Sequence, residues 1–352
     1  MKRYGDLYEK IYDISNIELA HKNARKGKSH YREVGMIDKN PEKYLSRIHR
    51  MLKNKTYRNS KYEIMMRKMD NGKIREIYKL PYFPDRIIHH AIMQIVEPIW
   101  SKTLIRDTYS SIKGRGIHDG VKRIKEALRD KENTKYCLKL DVKKYYPSID
   151  NAILKQVIRK KIKDDDLLWL LDEIIDSTEG VPIGNYLSQY FGNLYLSEFD
   201  HYMKEEMGCK NYFRYCDDVV ILHKDKTILH DLMRQIHKYL SETRGLTVKG
   251  NWQIFPIDKR GIDFLGYRFF HGYTLLRKSI KEKFIRKIKK INKEWKIMDV
   301  SQVINSIMSY CGWFKYANCK NLMTKYIDRD IFWIMKQKAK KAGIGNPLQG
   351  RI

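Results

Sequence analysis

Two periods of apolar residues alternate along this chain, and each predicts its own elements. Ile87, Ile88, Ala91, Ile92, Ile95 and Ile99 recur at helical spacing between Pro84 and Trp100, which predicts a core helix. The same period predicts helices from Pro41 to Leu52, His118 to Arg129 and Lys226 to Thr243. A long helix is expected from Tyr186 to Glu206, with Leu187, Tyr190, Phe191, Leu194 and Phe199 facing inward. Ser148-Ile149-Asp150-Asn151 supplies an N-terminal cap for one more. Strand formers fill the intervals: Tyr62 to Met66 and Ile74 to Tyr78 flank Asn71-Gly72, a hairpin signal that would put Lys73 and Arg75 on a projecting basic strand. Further strands are expected at Tyr136 to Leu140, on both sides of Tyr215-Cys216-Asp217-Asp218, at Leu246-Thr247-Val248 and from Asp263 to Phe270. From Arg277 the chain reads as helical and strongly basic, and no Gly, Ser or Pro-rich linker precedes it. The mixture predicts an α+β fold.

One stretch carries chemistry. In Phe213-Arg214-Tyr215-Cys216-Asp217-Asp218-Val219-Val220-Ile221-Leu222 two adjacent acids stand between an aromatic run and an unbroken apolar run. Side chains alternate faces along a strand, so neighbouring aspartates reach one site only where the chain turns. Aspartate favours turns in any case. Two adjacent like charges, however, repel unless a cation neutralises them. A third acid, Asp141, ends the apolar strand Tyr136-Cys137-Leu138-Lys139-Leu140. Such carboxylates suit hard Mg²⁺, and two ions about 4 Å apart hold the attacking and leaving oxygens of a phosphoryl transfer. The pattern reads as a nucleotide polymerase.

Charge strengthens that reading. Lys and Arg number 71 against 42 Asp and Glu, a net charge of +29 over 352 residues, which points to a long polyanion as partner. No apolar run approaches the ~20 residues of a membrane span and no signal-peptide core follows Met1, so a soluble, cytoplasmic protein with no membrane partner is expected. Cys137, Cys209, Cys216, Cys311 and Cys319 form no CxxC pair and are expected to be reduced thiols. His89 and His90 are expected to pack, since no cysteine or acid stands near them at ligand spacing.

The order of motifs resembles reverse transcriptases of the bacterial, group II intron-like kind. Asp141 looks like the first palm motif, Gly180 to Gln189 the second and Tyr215-Cys216-Asp217-Asp218 the third; Gly266 in Phe264-Leu265-Gly266-Tyr267 looks like the primer grip. The run from Leu80 to Ile99 is similar to the fingers segment of that group. Most of these enzymes carry glutamine after the proline of the second motif, whereas this chain has Ile183. Its Ile183-Gly184-Asn185 followed by Ser188-Gln189, and the tail from Ser309 to Asn318, resemble reverse transcriptases of diversity-generating retroelements, which copy a template RNA with errors at adenines. Leu187 departs from the threonine usual there, and unknown-group or phage-defence reverse transcriptases share much of the pattern.

The resemblance implies a right-hand polymerase: an N-terminal region with fingers over residues 1–135, a palm over 136–272 and a helical basic thumb over 273–352. It implies two Mg²⁺ ions on Asp141, Asp217 and Asp218 with the backbone carbonyl of Val142. Tyr146 would lie under the incoming sugar and exclude a 2′-hydroxyl, and Ile183 with Gly184 would lie against the nascent pair. Lys73 and Arg75 are candidates for the triphosphate, Gln189 and Gly266 for the nucleic acid. Between Lys281 and Ile291 cations alternate with apolar residues at helical spacing, so Lys283, Arg286, Lys287 and Lys290 would follow duplex phosphates. Partners would be template RNA, primer, cDNA and dNTPs, with a small basic accessory protein in a retroelement of this kind. An RNA-directed RNA polymerase is disfavoured by the aromatic Tyr146, and a non-catalytic RNA-binding scaffold by three acids retained in so basic a chain.

Overall fold

The first four helices are α1 Tyr8–Tyr12, α2 Ile14–Ala24, α3 Arg32–Lys39 and α4 Pro41–Lys53, and the second and fourth are capped by side chains. Asp13 accepts from the Ser15 amide ahead of α2, and Asn40 accepts from Lys43 ahead of α4, whose first residue is a proline. The computed structural model describes residues 2–69, 72, 74–295, 297–331, 333, 334 and 337. The expected hairpin is β1 Glu63–Lys68 and β2 Ile74–Lys79, antiparallel with Glu63 opposite Lys79. Lys73 lies outside the described residues.

An irregular turn at Tyr82–Arg86 leads into the core helix α5, Ile87–Trp100, which begins after Pro84 rather than at it. Then come α6 Ile117–Ala127, β3 Tyr136–Asp141, α7 Asn151–Arg159 and α8 Asp165–Ile175. The cap expected for α7 is Asp150, which accepts from the Ile153 amide. The expected long helix is broken into α9 Ser188–Tyr195, α10 Ser197–His201 and a wider turn at Tyr202–Glu206. At the break the Ser197 hydroxyl donates to the Leu194 carbonyl, a side chain competing with the backbone ladder. The residues expected to face inward are nevertheless buried.

The remaining elements are β4 Tyr212–Tyr215, β5 Asp218–His223, α11 Lys226–Arg244, β6 Gln253–Pro256, α12 Ile257–Arg260, β7 Ile262–Phe264, β8 Tyr267–Phe269, β9 Thr274–Leu276, α13 Lys278–Glu294, α14 Val300–Phe314 and α15 Lys320–Tyr326. Two expected strands differ. Leu246 to Val248 forms only a bridge from Val248 to Val142. The stretch from Asp263 to Phe270 folds back on itself, because Leu265 at φ 53° and Gly266 at φ 85° make a two-residue hairpin turn with both central residues left-handed.

Two compact units result, each woven from separate stretches. One holds Met1–Lys113, Leu140–Lys210 and Leu232–Asn251; the other holds Gly114–Lys139, Asn211–Asp231 and Trp252–Ile352. In the first, α2 packs on α5 through Ile17, Ala20, Ile88 and Ile92, all fully buried, and Gln94 on α5 donates to the Asn16 side chain at 2.7 Å. Burial of His89 and His90 on α5, with Arg86 near, pulls both imidazoles down to about 3, so they stay neutral packing residues. In the second unit a three-stranded sheet, β7-β8-β9, adjoins the tail helices in sequence, and a four-stranded sheet has the order β4-β5-β3-β6, of which β3 belongs to this unit as far as Lys139. The five cysteines are free thiols, and burial raises those of Cys209 and Cys311 to about 11. No helix among the described residues is long and apolar enough to cross a membrane.

Candidate nucleotidyl-transfer site

The aspartate pair sits where the alternation argument requires. β4 and β5 are antiparallel with Tyr215 opposite Asp218, which leaves only Cys216 and Asp217 in the turn. Cys216 has φ 58°, a left-handed value usually given to glycine and costing a side-chain-bearing residue about 1 kcal/mol. Beneath the turn Arg214, fully buried on β4, donates from Nη1 to the Cys216 carbonyl at 2.9 Å. Asp218 opens β5 with its side chain 26% exposed, and its Oδ2 lies 3.5 Å from the Lys139 ammonium of β3.

Asp141 closes β3 and is 38% exposed. Lys249 holds it twice, donating from Nζ to its Oδ1 at 2.5 Å and from its amide to the Asp141 carbonyl at 2.9 Å. The Val142–Val248 bridge and a bond from the Lys143 amide to the Thr247 carbonyl complete that strap. Neither lysine was anticipated from the sequence. For Lys139 the signal was present: strand alternation puts it on the same face as Asp141, two residues on. Among the described residues no group of three or more His, Cys, Asp or Glu side chains is arranged to hold a metal ion. Taken singly, Asp141 and Asp218 are hard, partly exposed carboxylates of the kind a divalent cation takes, and each faces an ammonium.

The second motif is gathered in the first unit. Tyr146 is half-buried, its carbonyl accepts from the Val181 amide at 2.9 Å, and its ring with that of Tyr145 leaves no slack for a Cβ at Gly192. The Ile183 carbonyl accepts from the Tyr78 amide of β2 at 2.7 Å. Next to it Gly184 has φ 121°, and a Cβ there would stand 2.4 Å from the Tyr78 carbonyl, so only glycine fits. Asn185, 7% exposed, donates from Nδ2 to the Tyr62 hydroxyl at 3.1 Å and accepts from the Leu187 amide at 3.0 Å. Tyr62 thus joins this region through Asn185, a role that its place at the start of an expected strand did not signal.

Other expected residues stand apart. Arg75 is exposed on β2 opposite Arg67, and Gln189 is exposed on α9. Gly266 lies under the Trp313 indole, which would be 2.5 Å from a Cβ, and its carbonyl accepts from the Arg277 amide. On α13 Phe284, Ile288 and Ile291 are buried, and Phe284 packs edge-on against Phe314 at 4.9 Å. Arg286, Lys287 and Lys290 are exposed and Lys283 is half-exposed.

Antiparallel sheets combined with helices make this an α+β fold. The family model for reverse transcriptase (RNA-dependent DNA polymerase) matches residues 66–269, and the chain belongs to that family as an RNA-directed DNA polymerase. It is 25% identical over 270 residues to protein YkfC of Escherichia coli strain K12, covering 64% of this chain and 69% of that one. Over 244 residues it is 25% identical to the Retron Ec73 reverse transcriptase of E. coli, covering 63% of this chain and 72% of the relative. Over 173 residues it is 25% identical to the group II intron-encoded protein LtrA of Lactococcus lactis subsp. cremoris, covering 46% of this chain and only 28% of that protein. Among solved structures, telomerase from Candida albicans in complex with a telomeric RNA fragment shares the fold with a TM-score of 0.50 at 12% identity, over 84% of this chain and 61% of that one. The family works with divalent metal ions.

Proposed function

We propose that this enzyme makes cDNA on a template RNA by nucleotidyl transfer at Asp141, Asp217 and Asp218, and that it errs at template adenines as in a diversity-generating retroelement. One observation supports the catalytic part: Asp217 lies in, and Asp218 closes, a two-residue turn between β4 and β5, with the Lys139 ammonium 3.5 Å from Asp218. The three carboxylates and the Val142 carbonyl would hold two Mg²⁺ ions, which when bound neutralise the triphosphate and activate the primer hydroxyl. Tyr146 presents its ring to the sugar and excludes a 2′-hydroxyl. Arg75 and Lys73 meet the triphosphate, and Ile183 with Gly184 meets the nascent pair. Gln189, Gly266 and the cations Lys283, Arg286, Lys287 and Lys290 of α13 hold primer and template. Residues 1–135, 136–272 and 273–352 then serve as fingers, palm and thumb. The enzyme works in the cytoplasm with template RNA, primer, dNTPs and a small basic accessory protein.

The error-prone part rests on Ile183, whose apolar side chain offers no hydrogen bond with which to reject a wrong pair. Sequencing cDNA made by the wild type and Ile183→Gln on one RNA tests it. Fewer errors opposite adenine in the variant support the reading; equal error rates sink it. The match to the Retron Ec73 reverse transcriptase favours a second reading, a retron-like or phage-defence enzyme. That reading gains if errors in wild-type cDNA are spread evenly over the four template bases.

A further inference from the structure

The Ile183–Asn185 segment is held by its own motif, through the Leu187 and Ser188 amides on Asn185, and also by the exposed hairpin. β2 donates its Tyr78 amide to the Ile183 carbonyl at 2.7 Å. Tyr78 stands opposite Ile64 in the hairpin, yet its N–H points outward to the loop, so the outer edge of β2 is engaged. Tyr62, just before β1, packs edge-on against the Tyr78 ring at 5.7 Å. Its hydroxyl is a hub, 3.1 Å from Asn185 Nδ2 and 3.1 Å from Ser177 Oγ. Ser177 is anchored in turn, donating to the Ile174 carbonyl at 2.6 Å. The Asn185 amide is nearly fully buried, so loss of its partner leaves a polar group without water to replace it. Gly184 admits no side chain, which keeps the loop and β2 in direct backbone contact.

We infer that Tyr62 is a positioning residue for nucleotide selection, acting through Asn185 to hold Ile183 and Gly184 in register. The inference rests on the reading that Ile183 abuts the nascent pair. Selectivity is then set by two separable elements, the Ile183 side chain and the hairpin's hold on its backbone. A backbone held in one place presents the same wall to every pair; a loosened one gives way to an ill-fitting pair.

The test uses Tyr62→Phe, which deletes the hydroxyl and keeps the ring, with Asn185→Ala, the double variant and Ile183→Gln beside it. Expected for Tyr62→Phe is a nucleotide KM raised about threefold to tenfold and misincorporation raised at all four template bases by a similar factor, as loss of one hydrogen bond to a buried amide implies. The maximal rate with correct nucleotide and the melting temperature should stay near wild type. Asn185→Ala, which also loses the bond from the Leu187 amide, should change fidelity at least as much, and the double variant should be no worse than Asn185→Ala, because the Tyr62–Asn185 bond is already gone there. A fidelity unchanged in Tyr62→Phe while Ile183→Gln shifts errors at adenine overturns the grip and leaves the Ile183 reading standing. A fidelity changed in Tyr62→Phe with Ile183→Gln inert supports the grip and removes the Ile183 side chain from selection. Additive effects of Tyr62→Phe and Asn185→Ala would also overturn the inference, since independent interactions would then be at work.

Discussion

Every residue of β1 is exposed and β2 is partly covered only at Ile77 and Tyr78, whereas β4 and β5 bury all but Tyr215, Asp218 and His223. Both are antiparallel hairpins. The buried one is held by packing: Tyr212, Phe213, Val220 and Ile221 are each at most 2% exposed, and the sheet continues beyond β5 into β3. That support allows a left-handed Cys216 in the turn, with Arg214 bonded to its carbonyl. The exposed hairpin is built differently. It shows Ile64, Met65, Met66 and Ile74 at 50% exposure or more, sets Arg67 against Arg75, and touches the second-motif loop through the outer edge of β2. One hairpin is a buried mount for two acids; the other leaves its apolar side chains in solvent.

Breaking the mount's chemistry should have the largest effect. Asp217→Asn or Asp141→Asn should lower DNA synthesis on the order of a thousandfold or more, while RNA binding stays nearly unchanged, as read by template extension and filter binding. Substantial extension by either variant at ordinary Mg²⁺ would remove these residues from the metal site. Breaking the mount's packing comes next. Ile221→Ala, at 1% exposure, should cost about 3 kcal/mol in denaturant unfolding, and Cys216→Val about 2 kcal/mol, because a β-branched residue tolerates positive φ poorly. A Cys216→Val variant as stable as wild type would show that the turn stores no strain.

The exposed surfaces should respond through charge instead of stability. Changing Lys283, Arg286, Lys287 and Lys290 to Gln should weaken primer-template binding about tenfold or more and flatten the slope of log affinity against log salt by roughly one unit for each phosphate left without its cation. An unchanged slope would detach α13 from the duplex. The smallest effect sharpens the contrast most directly: Met66→Ala, at 66% exposure, should shift stability by only about 0.5 kcal/mol. A loss comparable with that of Ile221→Ala would mean the two hairpins are held alike.

Much of this was legible in one dimension. The Asp217-Asp218 turn, the β1–β2 hairpin, the α5 core helix and the amphipathic α13 follow from period and turn chemistry, since each depends on residues close in sequence. So does the α+β class. Local signals also misled in three places, the first of them Leu246 to Val248, which makes a single bridge where a strand was expected. The stretch from Asp263 to Phe270 looks like one strand until Leu265 and Gly266 both turn left-handed, and Tyr186 to Glu206 looks like one helix until Ser197 takes the Leu194 carbonyl. Pairings between distant stretches were out of reach altogether. Lys249 on Asp141 spans 108 residues and Asn185 on Tyr62 spans 123, and nothing in the spacing of either pair foretells the meeting. The composition fixed a basic, nucleic-acid-facing chain with aspartates in a turn, because charge and turn geometry are properties of the local sequence. Which lysine faces which aspartate, and which strand edge grips the Ile183 loop, was decided by tertiary packing, because a side chain finds its partner only after the backbone between them has closed.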